Sequence, residues 1–384
     1  MRSLIYLDHN ASAPMLPGVA ERCARWLGGA NASSVHAVGR EARVEIERCR
    51  DVVADAAGGD RVVFTSGATE AANTALTPDW FDGRTPIRFE RLLVGATEHP
   101  CVLEGGRFEA DAIEQVPVDR NGVILPDALR DRLAASSGRA LVAIALANNE
   151  TGVVQDIATL SRIAHDHGAV FVCDAVQAFG RMDVNMHALG ADVLLLSSHK
   201  IGGAQGAGAM VVRHGSPVPV PLLNGGGQES GLRSGTENVF AISSFAAAVE
   251  FLRRRDNVER QRALRDRFET ALEDVAPSVT VHGAGVERLP NTSSFSFAAI
   301  TAETAQIAFD LDGIAVSAGS ACSSGKVGKS HVLDAMGVAG EGAIRLSLGP
   351  SSTEDDMARA LETVRRLGAR DLEKSAARET REAA

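Results

Sequence analysis

The chain has 384 residues, 45% hydrophobic and 23% charged, and its 39 basic and 49 acidic side chains leave a formal net charge of −10. That length supports a large core, in two domains or one large domain with a smaller companion. The acidic balance, the lack of a long basic run and an aromatic content of 4% argue against nucleic-acid binding as the main task.

The opening "MRSLIYLDHN" is interrupted by Asp8 and His9 too early to serve as a signal peptide. The longest apolar run, "ALVAIALA" at 140–147, falls far short of a membrane span. A soluble cytoplasmic protein is expected, without membrane or direct nucleic-acid partners.

From about residue 60 to 215, short apolar runs alternate with amphipathic stretches. "RVVFTSG" (61–67), "RLLVGAT" (91–97), "ALVAIALA" (140–147), "AVFVC" (169–173), "DVLLLSS" (192–198) and "GAMVV" (208–212) read as buried strands. Helical patterns such as 125–136 and 157–168 fall between most of them. This alternation predicts an α/β fold, a mostly parallel sheet with helices on both faces. A long helical pattern over 236–276 leads out of this region. Beyond it, "SVTVHG", "TSSFSFA", a helix around 302–312, the strand "AIRLSLG" and a helix over about 353–369 predict a smaller α+β domain. The expected boundaries are 13–256 for the large domain and 257–370 for the small one, with residues 1–12 packing on the latter. Residues 371–384 have almost no apolar content and are expected to fray.

Five cysteines, Cys23, Cys49, Cys101, Cys173 and Cys322, are scattered and form no CxxC pair, which speaks against structural zinc and a disulfide framework. Cys23, Cys49 and Cys173 read as small buried hydrophobes. His165 and His167 sit at i and i+2 on a helix and share no face, so no metal site is expected there.

Ligands of open α/β sheets bind beyond the carboxyl ends of the strands. After "VVF" comes "TSGATEAAN", where a helix start at Ala68 and Thr69 offers free N–H groups to a phosphate, or merely an ordinary helix cap. After "AVFV" comes "CDAVQ", which puts Asp174 at the end of a buried run and Gln177 three residues on. A buried carboxylate needs a cation or N–H partner. After "DVLLL" comes "SSHKIGG", with Ser197, His199 and Lys200. Lys200 reads either as a surface charge at a strand end or as a Schiff-base lysine activated by partial burial. A lysine, a carboxylate and a phosphate cup on one sheet are what pyridoxal 5'-phosphate requires.

On these residues, and on "YLDHNASAP", "TEHP", "NNETGVVQDI", "GGGQESGLRSGTEN" and "SAGSACSSG…SHVL", the sequence resembles the cysteine desulfurases of the class V aminotransferase group. The likeness runs from residue 6 to 349. It implies the fold type I pyridoxal-phosphate architecture, with a seven-stranded sheet, and a homodimer. It also implies that Lys200 bonds the cofactor as an internal aldimine, Asp174 pairs with the pyridine nitrogen and Gln177 meets the ring hydroxyl. His99 would stack on the ring and serve in acid–base steps. Ala68, Thr69, Ser197 and His199 would hold the phosphate, and Thr236 would reach the phosphate of the other subunit. Asn149 would lie near the ring and the substrate, and Arg345 would grip the carboxylate of the substrate L-cysteine. From the residues alone, His99 also reads as a turn histidine and Arg345 as a partner for an acidic neighbour.

Cys322 lies in "SAGSACSSGK", a stretch of small residues that favours a flexible arm. Lys326 and Lys329 nearby would favour its thiolate. The stretch is not a phosphate loop, because five residues separate Gly319 from Gly325 and Val327 follows the lysine. The resemblance makes Cys322 the residue that takes sulfur from L-cysteine as a persulfide. It then passes that sulfur to an acceptor protein such as an iron–sulfur cluster scaffold. A selenocysteine lyase or other class V β-lyase, and a non-catalytic assembly partner, are the alternatives. Several stretches depart from the family's usual pattern: "ASAP" (11–14), "GANASS" (29–34), "GGAQG" (202–206) and "GKSHVL" (328–333).

Overall fold

The computed structural model describes residues 4–253, 257–318, 329–338 and 342–382. Seven strands form the main sheet: β1 (Arg61–Thr65), β2 (Arg91–Gly95), β3 (Ile113–Val116), β4 (Ala140–Ala145), β5 (Val170–Asp174), β6 (Val193–Ser197) and β7 (Gly208–Val212). Their spatial order is β1-β7-β6-β5-β4-β2-β3. The pairings from β6 across to β3 are parallel, whereas β7 runs antiparallel to both of its neighbours. The link at 198–207 is too short for the helical crossover that a parallel strand needs, so the chain turns straight back.

Alternate residues of each strand enter different cores. Phe64, Leu93, Ile144 and Phe171 pack on one face with Ile46, Leu129 and Phe245. Val63, Leu92, Leu141 and Met210 pack on the other with Ala71 and Trp80. Two-sided burial is why these strands read as continuous apolar runs rather than as alternating ones.

Residues beyond 257 form a four-stranded antiparallel sheet from Thr280–Val281, Thr292–Ser296, Ser317–Ala318 and Ile344–Ser347. Phe268, Phe295, Phe309, Leu346 and Val364 make a separate apolar cluster, which Ile5 and Leu7 join. The strand Ile5–Tyr6 pairs in parallel with Ile314–Ala315. Residues 7–13 then run from this cluster to the ends of the main strands.

Three features differ from the sequence expectation. The pattern over 236–276 resolves into two helices, Val239–Leu252 and Val258–Val275. The last helix runs Glu354–Glu382, well past 369. Alanine, glutamate, arginine and lysine carry high helix propensity even where apolar content is low, and Asp371 is fully buried, accepting from the N–H groups of Ala298 (3.1 Å) and Ala299 (2.6 Å). Strand β3 and the hairpin Asp79–Asp82/Thr85–Arg88 were not legible as runs. Cys23, Cys49 and Cys173 are buried, and burial raises each thiol above its ordinary range.

Candidate active site

The carboxyl ends of β1, β2, β4, β5 and β6 converge on one cavity of about 390 Å³. Ala68, Thr69, His99, Asn149, Asp174, Gln177, Ser197, His199 and Lys200 all line it. The sequence therefore brings together nine of the expected site residues from positions up to 132 apart, a separation the parallel sheet removes.

Each side chain is placed by local chemistry. His99 is the N-cap of a short helix that begins at Pro100, whose fixed φ and missing N–H suit the first helical position. Its Nδ1 accepts from the N–H of Cys101 at 3.2 Å and lies 3.0 Å from Cys101 Sγ. Burial and the charge of Lys200 lower His99 to about 4, so at neutral pH the ring carries one proton. With Nδ1 accepting, that proton sits on Nε2. His199 places Nδ1 3.2 Å from Ser12 Oγ, and it too is lowered to about 4 by burial and Lys200.

Asp174 ends β5, buried, and its Oδ1 accepts from the N–H of Val176 at 2.9 Å. Burial raises its carboxyl to about 6, against the opposing pull of that N–H and of Lys200. Gln177 donates from Nε2 to Asn10 O at 3.1 Å, and its Oε1 accepts from Arg181. Lys200 donates from Nζ to Asn10 O (2.7 Å) and Ala11 O (2.9 Å). The helix Ala68–Ala75 begins directly after Gly67, with its first N–H groups at the cavity.

Two expected residues stand elsewhere. Arg345 is buried behind Asn149: it donates to Asn149 O (3.0 Å), Asp8 Oδ1 (2.8 Å) and Ser317 Oγ (2.9 Å), and does not line the cavity. Thr236 is exposed on the 225–238 loop, outside the cavity lining. Cys322 and Lys326 lie outside the described residues. His165 pairs with Asp192 Oδ2 at 2.8 Å and His167 with Ile163 O at 2.9 Å. Among the described residues no cluster of His, Cys, Asp or Glu is arranged to hold a metal ion, and no helix is long and apolar enough to cross a membrane.

Sequence reading missed several residues that shape the site. Glu98 is buried beside His99, and its Oε1 accepts from Ala145 N–H at 3.0 Å. Gly95 makes room for it, since a Cβ there would fall 2.5 Å from Oε1. Asn148 closes the turn after β4, accepting from Glu150 N–H (2.8 Å) and Thr151 N–H (2.9 Å) and donating to Thr97 O (2.8 Å). Arg181 is buried and donates to Gln177 O (2.9 Å), His9 O (3.0 Å) and Lys200 O (3.0 Å). A glutamate directly before His99 and an asparagine directly before Asn149 were the available signals.

Residues 5–359 match the class-V aminotransferase family. The cysteine desulfurase IscS of Dictyoglomus turgidum is 38% identical over 379 residues, covering 96% of this chain and 95% of that protein. The chain belongs to the cysteine desulfurase family of class-V aminotransferases. Among solved structures it is similar to a NifS-like protein from Rickettsia africae, with a TM-score of 0.84 and 35% identity over 94% of this chain and 98% of the other. It also resembles SspA in complex with cysteine, with a TM-score of 0.74 and 28% identity over 91% of this chain and all of the other. The fold is the fold type I pyridoxal-phosphate architecture, and the cofactor of this desulfurase family is pyridoxal 5'-phosphate.

The residues present fit that cofactor. Ser197 Oγ is buried in the cavity wall without a hydrogen-bond partner among the described residues, beside the helix start at Ala68, and a phosphate would satisfy both. The raised carboxyl of Asp174 is the group that a protonated pyridine nitrogen would return to its ionised state.

Proposed function

We propose that this protein removes sulfur from L-cysteine, releasing L-alanine and leaving a persulfide on Cys322. The observation that carries this reading is the convergence of Lys200, Asp174 and the Ala68 helix start on one cavity. Bound pyridoxal 5'-phosphate supplies an electron sink for the Cα–H and Cβ–S bonds of the amino acid. The chain supplies the rest. Ala68, Thr69, Ser197 and His199 would hold the phosphate; Asp174 would hold the pyridine nitrogen, and Gln177, fixed by Arg181 and Asn10, would offer its remaining Nε2 proton to the ring hydroxyl. His99, neutral and protonated on Nε2, would pack on the ring face. Asn149, on the cavity wall, would orient the substrate carboxylate, with Arg345 behind it released from Asp8 to complete the grip.

Lys200 would bond the cofactor at rest, and its amine would serve as the base that takes the proton from Cα. The thiolate of Cys322 attacks the substrate sulfur. The Cβ–S bond breaks, its electron pair ends as a C–H bond at Cβ, and the sulfur stays on Cys322. The sum is L-cysteine plus a thiol giving L-alanine plus a persulfide, which needs no outside oxidant. The persulfide passes to an acceptor protein, with an iron–sulfur cluster scaffold as the leading class. Thr236, exposed and outside its own cavity, fits a homodimer in which it reaches the partner's phosphate, and the cytoplasm is the compartment proposed for it.

The test is alanine released from L-cysteine by purified protein and by Cys322→Ala. Release by wild type alone upholds the reading. Equal release by both removes Cys322 as the sulfur carrier and favours a selenocysteine lyase or simple β-lyase.

A further inference from the structure

Asn10 is buried, and every polar atom it owns is engaged. Its N–H donates to Ser347 Oγ at 2.9 Å. Its side-chain Nδ2 donates to Thr292 Oγ1 at 2.9 Å and to Asn149 O at 3.2 Å. Its Oδ1 accepts from Asn291 Nδ2 at 3.1 Å. Its carbonyl accepts from both Lys200 Nζ (2.7 Å) and Gln177 Nε2 (3.1 Å).

These partners come from two different places. Thr292 and Ser347 are opposite one another on neighbouring strands of the C-terminal sheet. Lys200 and Gln177 stand at the ends of β6 and β5. One residue on the segment between the two sheets thus holds the catalytic amine on one side and the C-terminal strands on the other. Ala11 O, at 2.9 Å, completes the seat for the amine.

We propose that Asn10 is a positioning residue whose backbone carbonyl, with that of Ala11, is the docking seat for the Lys200 amine whenever that amine is unbonded. The inference rests on the cofactor role given to Lys200 above. An amine displaced by substrate has to stay within reach of Cα without wandering, and two carbonyl acceptors in a buried setting restrict it more than solvent would. The side chain of Asn10 has a separate task. Its three hydrogen bonds fix the peptide plane, and so the direction in which the carbonyl points. Loss of any one leaves a buried polar atom without a partner and frees the plane to tilt.

The experiment is made on the apoprotein, so cofactor turnover does not enter. An amine-acylating reagent is added, and its incorporation at Lys200 is followed by peptide mass mapping. Releasing the amine from a charged-donor hydrogen bond should raise the Lys200 labelling rate about tenfold in Asn10→Ala, with a smaller rise, about threefold, in Thr292→Val. Thr292→Ser keeps the hydroxyl and should return the wild-type rate. A purely structural role would lower the melting temperature of the variants and leave Lys200 labelling of the folded protein unchanged, which overturns the proposal. If Asn10→Ala does not fold, the comparison of Thr292→Val with Thr292→Ser decides alone. Wild-type protein is separately mixed with pyridoxal phosphate. Failure to form a coloured Lys200 adduct sinks the cofactor reading, whereas normal loading with unchanged labelling sinks only this one.

Discussion

Arg345 donates through Nη2 to Asp8 Oδ1 at 2.8 Å, so the side chain expected to bind a substrate carboxylate already holds one from its own chain. Its Nη1 is spent on Asn149 O, and its Nε is buried without a partner. Asp8 and Asn149 thereby set the plane of the guanidinium, and a substrate carboxylate reaching Arg345 would have to displace Asp8. Lysine would keep the charge but lose the planar fork. If Arg345 exchanges Asp8 for the substrate carboxylate, Arg345→Lys should raise the KM for L-cysteine by about tenfold or more, with a smaller change in kcat, because the planar fork needed for that exchange is lost. Initial rates over a range of L-cysteine concentrations read this directly, and an unchanged KM removes Arg345 from the substrate site.

Lys200→Ala should abolish both alanine release and the covalent link to the cofactor. The two losses are separate readouts, one by amino-acid analysis and one by absorbance and intact mass. Turnover near the wild-type rate in this variant would refute the assignment. The fold should survive, since Lys200 is only partly buried and its side chain lines the cavity.

The strands were legible because burial on both faces leaves an unbroken apolar run, as in "ALVAIALA" and "DVLLL". Strand β3 was not, because its "IEQV" sits at the sheet edge with only Val116 fully buried. Much of the cavity lining was legible for a related reason: polar side chains such as Asp174, Ser197 and Lys200 follow closely on such runs. Asn10, Glu98 and Arg181 escaped because their importance lies in contacts made across long stretches of sequence, such as Asn10 with Thr292. The end of the last helix was misjudged because low apolar content hid both its high helix propensity and the buried tie at Asp371.

Glu98 offers a test of how the floor of the site is charged. Burial first, and then the neighbouring Asp174, raises its carboxyl well above the ordinary carboxylate range. That shift favours the protonated, neutral form of Glu98, while Asp174, at about 6, is mostly ionised at pH 7. Glutamine has the same shape, stays neutral and still accepts from Ala145 N–H. Glu98→Gln should keep stability within about 1 kcal/mol of wild type, whereas Glu98→Ala, which strands that N–H and opens a cavity, should lose roughly 2–4 kcal/mol. Urea unfolding of the three proteins distinguishes the cases. In the apoprotein, an infrared carbonyl band of a protonated carboxyl should vanish in Glu98→Gln.

The buried histidines set the response to acid. His282 is the simplest, since it lies away from the cavity with Nε2 3.0 Å from Ser296 Oγ, and burial lowers it to about 4. An unfolded histidine titrates near 6.5. Between these values the unfolded chain binds the proton and the folded chain does not, so stability falls as pH drops from about 6.5 to 4. His9, His99 and His199, each lowered to about 4, push the same way. Asp174 pushes the other way, because its folded carboxyl at about 6 lies above the unfolded value and takes up a proton that the unfolded chain refuses. Subtracting a variant from wild type removes these shared contributions. His282→Gln should lose less stability than wild type between pH 6.5 and 4, and the gap between the two proteins should close steadily across that window. Melting temperatures at half-unit pH steps measure it, and parallel curves for the two proteins would mean that His282 does not titrate on unfolding.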